Sequence, residues 1–373
     1  MSKEIYVTNP SLPSLDELLP YLQELWDSKI LTNSGKFHQE LERELCKYLG
    51  VPFISLFSNG TIALLTAIKC LRLTGEVITT PYSFIATSHS LLWNNIKPIF
   101  VDIEEDSFNI DPKEIEKKIT KNTSAILAVH VYGNPCFNFE IERIAKKYDL
   151  KVIYDAAHAF GVEKNGTSIL NYGDLSAVSF HATKVFNTFE GGAIISHDID
   201  TKNKIDQLKN FGIVDEVSVI NVGINGKMNE FNAIIGLLQL KKVDNDILKR
   251  KVIDTAYRKM LQYINGVKIP IISSSIKHNY SYFPILITPE YSLSRDDLYY
   301  KLKDNNIFSR RYFYPLITNF SMYQDKKKYS SDDIPVANKV AEQILCLPIY
   351  PDLLTEELNK IVDIISSSVS KSG

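Results

Sequence analysis

The chain has 373 residues, enough for a large domain and a smaller one, so core size sets no limit. A hydrophobic share of 45%, a charged share of 23% and a net charge of -2 describe an ordinary soluble globular composition with no basic field to hold nucleic acid. The opening MSKEIYVTNPSLPSLDELLPYL is broken by prolines and acids, and no later run reaches membrane-spanning length, so the sequence reads as cytoplasmic, without a signal peptide or membrane segment.

Two amphipathic helices open the chain, LDELLPYLQELW (15–26) and FHQELERELCKYLG (37–50), the second stopped by Gly50. From Pro52 to Ser196 short apolar runs alternate with amphipathic segments. EVITT, KPIFVDI, TSAILAVHV, LKVIYD, LSAVSF and GGAIIS read as strands, separated by the helical ALLTAIKCLRL, FIATSHSLLW and FEIERIAKKY. That alternation predicts an α/β layer with a mostly parallel sheet flanked by helices. After about residue 245 the pattern changes to a helix (VDNDILKRKVIDTAYRKMLQYI), a strand (HNYSYFPILI), a helix (SRDDLYYKLKDNN) and a closing helix (TEELNKIVDIISSSV). The expected division is a large domain over 1–245 and a smaller α+β domain over 246–373. Cys46, Cys70, Cys136 and Cys346 are scattered without a C-x-x-C pair, which points away from a disulfide framework or a cysteine zinc site and towards buried apolar side chains; no metal is expected.

Three stretches carry candidate chemistry. In FSNGTIALLTAIKCL (57–71) a strand runs straight into a helix through Ser58, Asn59, Gly60 and Thr61, so the unpaired N–H groups and positive end of the helix suit a phosphate; the same turn also reads as an ordinary N-cap. In VIYDAAHAFG (152–161) Asp155 ends an apolar strand at the carboxyl edge of the sheet, where open α/β sheets place ligands. It could pair with a protonated cofactor ring nitrogen, or simply cap a helix with His158 an incidental neighbour. In SFHATKVFNTFEGGAI (179–194) Lys184 lies between a strand and a Glu-Gly-Gly turn, with the Ser179 hydroxyl five residues before it. A lysine amine near apolar groups loses basicity and becomes a nucleophile for aldehydes, whereas most lysines only lay their stem on the surface. The chain order of phosphate cup, acid and lysine is what gives the three stretches joint weight. His181 reads as a residue that packs or that supports the site from behind without touching the cofactor.

On these residues the sequence resembles the fold-type-I pyridoxal 5′-phosphate (PLP) enzymes, and SFHATK followed by EGGAI is similar to the sugar aminotransferases of the DegT/DnrJ/EryC1/StrS family. LTNSGKFHQELE, SNGTIALL, TTPYSFIAT, VDIEEDSFNIDP, GINGKMNEFNAIIGLLQL, RRYFYPL and LPIYPDL extend the likeness over nearly the whole chain. The resemblance implies that Lys184 forms an imine with the cofactor aldehyde and afterwards moves protons. It implies that Asp155 pairs with the pyridinium nitrogen, that Gly60, Thr61 and Ser179 hold the phosphate, and that Phe84 stacks on the ring. It also implies a homodimer, with Asn225 reaching the phosphate in the neighbouring subunit. Many members read D-x-A-Q where this chain has His158, so an imidazole replaces an amide beside the cofactor's phenolic oxygen. Arg310 and Arg311 are candidates for the diphosphate of a sugar nucleotide, or a solvated pair at a strand edge.

The implied activity is amine transfer from L-glutamate to a dTDP-linked 4-keto-6-deoxy-D-glucose, feeding O-antigen or other surface polysaccharide synthesis, with a 3-keto dTDP sugar as the alternative. Relatives that use PLP for dehydration carry histidine in place of the lysine, against which Lys184 argues. Nothing resembles a DNA-binding module, which weakens a noncatalytic sensor reading.

Overall fold

A computed structural model describes residues 4–323 and 334–368. Helix Leu15–Ser28 begins with a capping box, the Ser14 side chain accepting from Glu17 N–H while the Glu17 carboxylate accepts from Ser14 N–H. In helix Lys36–Leu49, Phe37, Leu41, Leu45 and Leu49 recur on one buried face, and Gly50 ends it in the left-handed conformation with φ 62°.

All six expected strands form and join Phe53–Phe57 in one seven-stranded sheet. Its order is Phe53–Phe57, Gly192–Ser196, Leu175–Ser179, Lys151–Asp155, Thr123–Val129, Glu76–Thr79, Lys97–Phe100. Every pairing is parallel except those of Gly192–Ser196, which runs antiparallel to both neighbours. Runs such as ILAV in Thr123–Val129 are buried throughout because the flanking segments cover both faces of the sheet. Leu175–Ser179 lies beside Lys151–Asp155 with Ala177 opposite Asp155, so Asp155 and Ser179 both sit at the carboxyl edge.

The C-terminal half builds a second, antiparallel sheet from Val267–Lys268, Phe283–Ile287 and Ile344–Leu347. The sequence suggested a helix starting near residue 243; that segment is instead the second half of one helix, Glu230–Leu261, of 32 residues. Its Ala233, Ile234 and Leu238 pack with the first two helices around the large sheet, while Ile253, Tyr257 and Leu261 pack with the second sheet. Residue 245 falls between those two sets of contacts. Glu230 anchors the start: its buried carboxylate accepts from Phe37 N–H at 2.7 Å, at the first turn of the second helix.

HNYSYFPILI was expected to be a strand throughout, but only Phe283–Ile287 is. The five residues before it are held by side-chain bonds to another segment. Asn279 Nδ2 donates to the carbonyls of His158 and Phe160, both at 2.9 Å, and Ser281 Oγ donates to the Tyr132 carbonyl at 2.9 Å. Polar residues that satisfy foreign carbonyls in this way leave the strand ladder. Among the described residues no helix is long and apolar enough to cross a membrane.

Candidate active site

A cavity of about 560 Å³ opens at the carboxyl edge of the large sheet. Its walls include Gly60, Thr61, Phe84, Asp155, His158, Ser179 and Lys184, so seven of the residues singled out from the sequence meet in one place.

Asp155 is 5% exposed. Its Oδ2 accepts from the Thr87 hydroxyl at 2.7 Å and its Oδ1 from Ala157 N–H at 3.1 Å. Burial raises its pKa above the ordinary 3.8, against the pull of those two donors and of Lys184. Among the described residues no cation pairs with it at close range, so the carboxylate is preorganised for a positive charge brought by a ligand.

Lys184 follows a turn in which its N–H donates to the His181 carbonyl at 2.8 Å. Its Nζ faces the cavity, 3.4 Å from the Tyr282 hydroxyl. Desolvation lowers the ammonium pKa to about 8, with Asp155 acting in the opposite sense. The amine is thus available as a nucleophile and base near neutral pH.

His158 is buried, and burial followed by the charge of Lys184 holds its pKa well below the usual value. Its Nδ1 accepts from Tyr132 N–H at 3.1 Å. A neutral imidazole accepting at Nδ1 carries its proton on Nε2 and is a donor there.

Helix Gly60–Cys70 points its N-terminus at the cavity. Asn59 caps Ile62 N–H at 2.9 Å, while the Gly60 and Thr61 N–H groups belong to the first turn, which has no intrahelical carbonyl to reach. The cradle depends on missing side chains. A Cβ on Gly60 would stand 3.0 Å from Ser179 Cβ, and one on Gly192 would stand 2.7 Å from Asn59 carbonyl atoms and Gly60 N. The glycines of EGG let the antiparallel strand pass directly beneath this turn. Gly191 is equally crowded, its Cβ position lying 2.0 Å from Thr188 Oγ1.

These features fit PLP: an open helix end for a phosphate, a buried acid lacking a cation, and an amine of lowered pKa, all on one cavity. Phe84 is 59% exposed at the cavity wall, available to cover a ring.

The remaining residues fall elsewhere. Asn225 is exposed and bridged to Asn210, away from the cavity walls. Arg311 Nη1 donates to Asp296 Oδ1 at 2.7 Å, and the guanidinium packs on the rings of Tyr299 and Tyr314. Arg310 is exposed, its backbone bridged to Cys346. Of the two roles expected for His181, packing does not hold: it lies beyond the strand end, exposed on the cavity wall, with Nδ1 2.8 Å from Thr183 Oγ1 and Nε2 3.6 Å from Glu190.

Sequence reasoning missed Thr87, Glu190, Tyr282, Tyr312 and Phe313. Thr87 was within reach, three residues after Phe84 in PYSFIAT; the last three come from the distant C-terminal half, and no local spacing ties them to Lys184.

The profile of the DegT/DnrJ/EryC1/StrS aminotransferase family matches residues 15–366. The chain is 55% identical to the dTDP-4-amino-4,6-dideoxy-D-glucose transaminase of Escherichia coli over 97% of this chain and 98% of that one. It is 30% identical to the GDP-perosamine synthase of Vibrio cholerae, over 95% and 97%. Among solved structures it resembles DesI, determined in the presence of its TDP-sugar product, with a TM-score of 0.93, 30% identity and coverage of 98% and 93%. NtdA from Bacillus subtilis, with bound cofactor PMP, gives a TM-score of 0.87 at 30% identity, covering 98% of this chain and 86% of that one. With this extent of match, the chain belongs to the DegT/DnrJ/EryC1/StrS family of PLP-dependent aminotransferases.

Proposed function

We propose that this enzyme moves the amino group of L-glutamate to C4 of dTDP-4-keto-6-deoxy-D-glucose, giving dTDP-4-amino-4,6-dideoxy-D-glucose and 2-oxoglutarate for a surface polysaccharide such as O-antigen. The observation that carries the reaction type is that the Lys184 amine, the buried Asp155 carboxylate and the open helix end at Gly60 and Thr61 share one cavity. The sugar rests on the relative that is 55% identical and bears that activity.

PLP, when bound, supplies an electron sink that acidifies the C–H bond beside the reacting nitrogen. Asp155, its orientation fixed by Thr87 and Ala157, would hold positive charge on the ring nitrogen. The Gly60 and Thr61 N–H groups and the Ser179 hydroxyl would hold the phosphate, Phe84 would cover the ring, and His158, a donor at Nε2, would face its phenolic oxygen. Lys184 Nζ, with a pKa of about 8, takes the proton from the glutamate α-carbon and in the second half delivers a proton to the sugar carbon that receives nitrogen. Arg310, exposed, is the arginine for the nucleotide diphosphate, because Arg311 is committed to Asp296.

The reading includes a cytoplasmic homodimer in which Asn225 completes the partner's phosphate site. Supporting it, the segment just before Asn225 exposes Val214, Val217, Val219, Ile220 and Val222, an apolar surface that a second subunit would cover. It also includes two domains, 1–245 and 246–373, each with its own sheet and core.

The test is to incubate the PLP-loaded protein with glutamate and either the 4-keto or the 3-keto dTDP sugar, measure 2-oxoglutarate and locate the new amine. Amination at C4 is expected. Exclusive amination at C3 overturns the sugar assignment, and no 2-oxoglutarate with either sugar overturns the reaction.

A further inference from the structure

We propose that the Tyr282 hydroxyl is the partner of the Lys184 amine whenever that amine is free of the cofactor, held in place by the second lobe so that lysine position depends on the docking of the two halves. This rests on Lys184 being the reacting lysine.

Lys184 Nζ has a single hydrogen-bond partner among the described residues, the Tyr282 hydroxyl at a long 3.4 Å, and it also lies 5.9 Å from the centre of the Tyr282 ring. A lysine with four rotatable bonds and no fixed partner would spread over the cavity. Tyr282 is itself tightly set. Its ring packs at 4.8 Å from His158, 5.5 Å from Tyr132 and 5.7 Å from Tyr312. The residues before it are pinned through Asn279 and Ser281 to the carbonyls of Tyr132, His158 and Phe160. The junction leaves no slack, since a Cβ on Gly133 would stand 3.0 Å from both Asn279 Oδ1 and the His158 carbonyl. Asn279 therefore ties the second lobe to the loop that follows Asp155, and Tyr282, three residues on, reaches the lysine.

A phenol suits the task better than a carboxylate. Burial keeps its proton on throughout the neutral range, so it stays uncharged. The hydroxyl can accept from an ammonium and can donate to a free amine, so Lys184 keeps its partner in both protonation states.

The test is Tyr282→Phe, which preserves the ring packing. In the cofactor-free full chain, acetylation of Lys184 by acetic anhydride is followed against pH by mass spectrometry. Asp155, His158, His181, Glu190 and Tyr312, the other titratable groups on the cavity, are unaltered. The ammonium gains more from a hydrogen bond than the amine does, so the midpoint is expected to fall by roughly half a unit in the variant. In the loaded enzyme kcat is expected to fall about tenfold with KM for glutamate and sugar unchanged, as for loss of a positioned proton carrier. An unmoved midpoint or an unchanged kcat overturns the proposal. Borohydride reduction of the loaded parent protein separates this from the reading beneath it: cofactor fixed to a residue other than Lys184 overturns the lysine assignment itself.

Discussion

The Thr87 hydroxyl donates to Asp155 Oδ2 at 2.7 Å and also lies 2.7 Å from Ser83 Oγ, so the acid at the sheet edge is tied to the turn that carries Phe84. Replacing Asp155 by Asn keeps the shape and removes the charge. Turnover is expected to fall by about 10² to 10³, the scale of one preorganised electrostatic contact, measured as 2-oxoglutarate release. The pH dependence of folding gives an independent check. The folded pKa of Asp155 is raised above 3.8 by burial, so its contribution to stability is present below 3.8 and is lost as pH rises through the folded value. Cofactor-free Asp155→Asn is therefore expected to gain on the parent as pH rises from 3.8 towards neutrality, in urea unfolding at a series of pH values.

Lys184→Met should lose at least about 10³-fold in rate while folding normally. The ammonium pKa is lowered to about 8 from 10.5, so below pH 8 the parent protein bears the cost of burying charge, and that cost disappears as pH rises from 8 to 10.5. Because the side chain is partly open to the cavity, the gain of the cofactor-free variant at pH 7 is expected to be about 1 kcal/mol after solvent screening. It should vanish above pH 10.5.

Gly192→Ala puts a methyl group 2.7 Å from the Asn59 carbonyl and Gly60 N. Backbone must move, which spreads the anion cradle. We expect cofactor affinity to drop at least about tenfold and stability to fall by about 1–3 kcal/mol, the usual cost of overpacking, read by PLP titration and denaturant midpoint.

Asn279→Ala strands the buried carbonyl of Phe160 and leaves that of His158 with only the long 3.4 Å bond from Ser281 Oγ. A loss of about 1–3 kcal/mol is expected from one unmet acceptor and one weakened bond, measured in urea. A change below 0.5 kcal/mol, the range of ordinary surface substitutions, would contradict the clamp.

The large sheet and most of the site could be read from sequence because their signals are local. LKVIYD, ending in Asp155, and LSAVS, ending in Ser179, each show a mostly apolar strand closed by a polar residue, and parallel pairing then puts both on the same edge. Other features depended on contacts between remote segments. HNYSY carries the alternation of a strand, yet its polar side chains serve carbonyls more than a hundred residues away. Arg311 looked like a ligand residue by type; Asp296 and two tyrosine rings, invisible to any motif, account for it. His181 sits two residues past the strand end at Ser179, so its side chain meets the cavity rather than the core.

Helix Glu230–Leu261 is roughly 48 Å of uninterrupted rod, at about 1.5 Å for each of its 32 residues. One end is rooted in the first core and the other in the second. Melting either core frays a rod that the other needs, so the polypeptide should lose its structure in a single concerted transition. For the same reason a cut at residue 245 should leave two fragments, each without the half of the rod that its neighbour keeps in register.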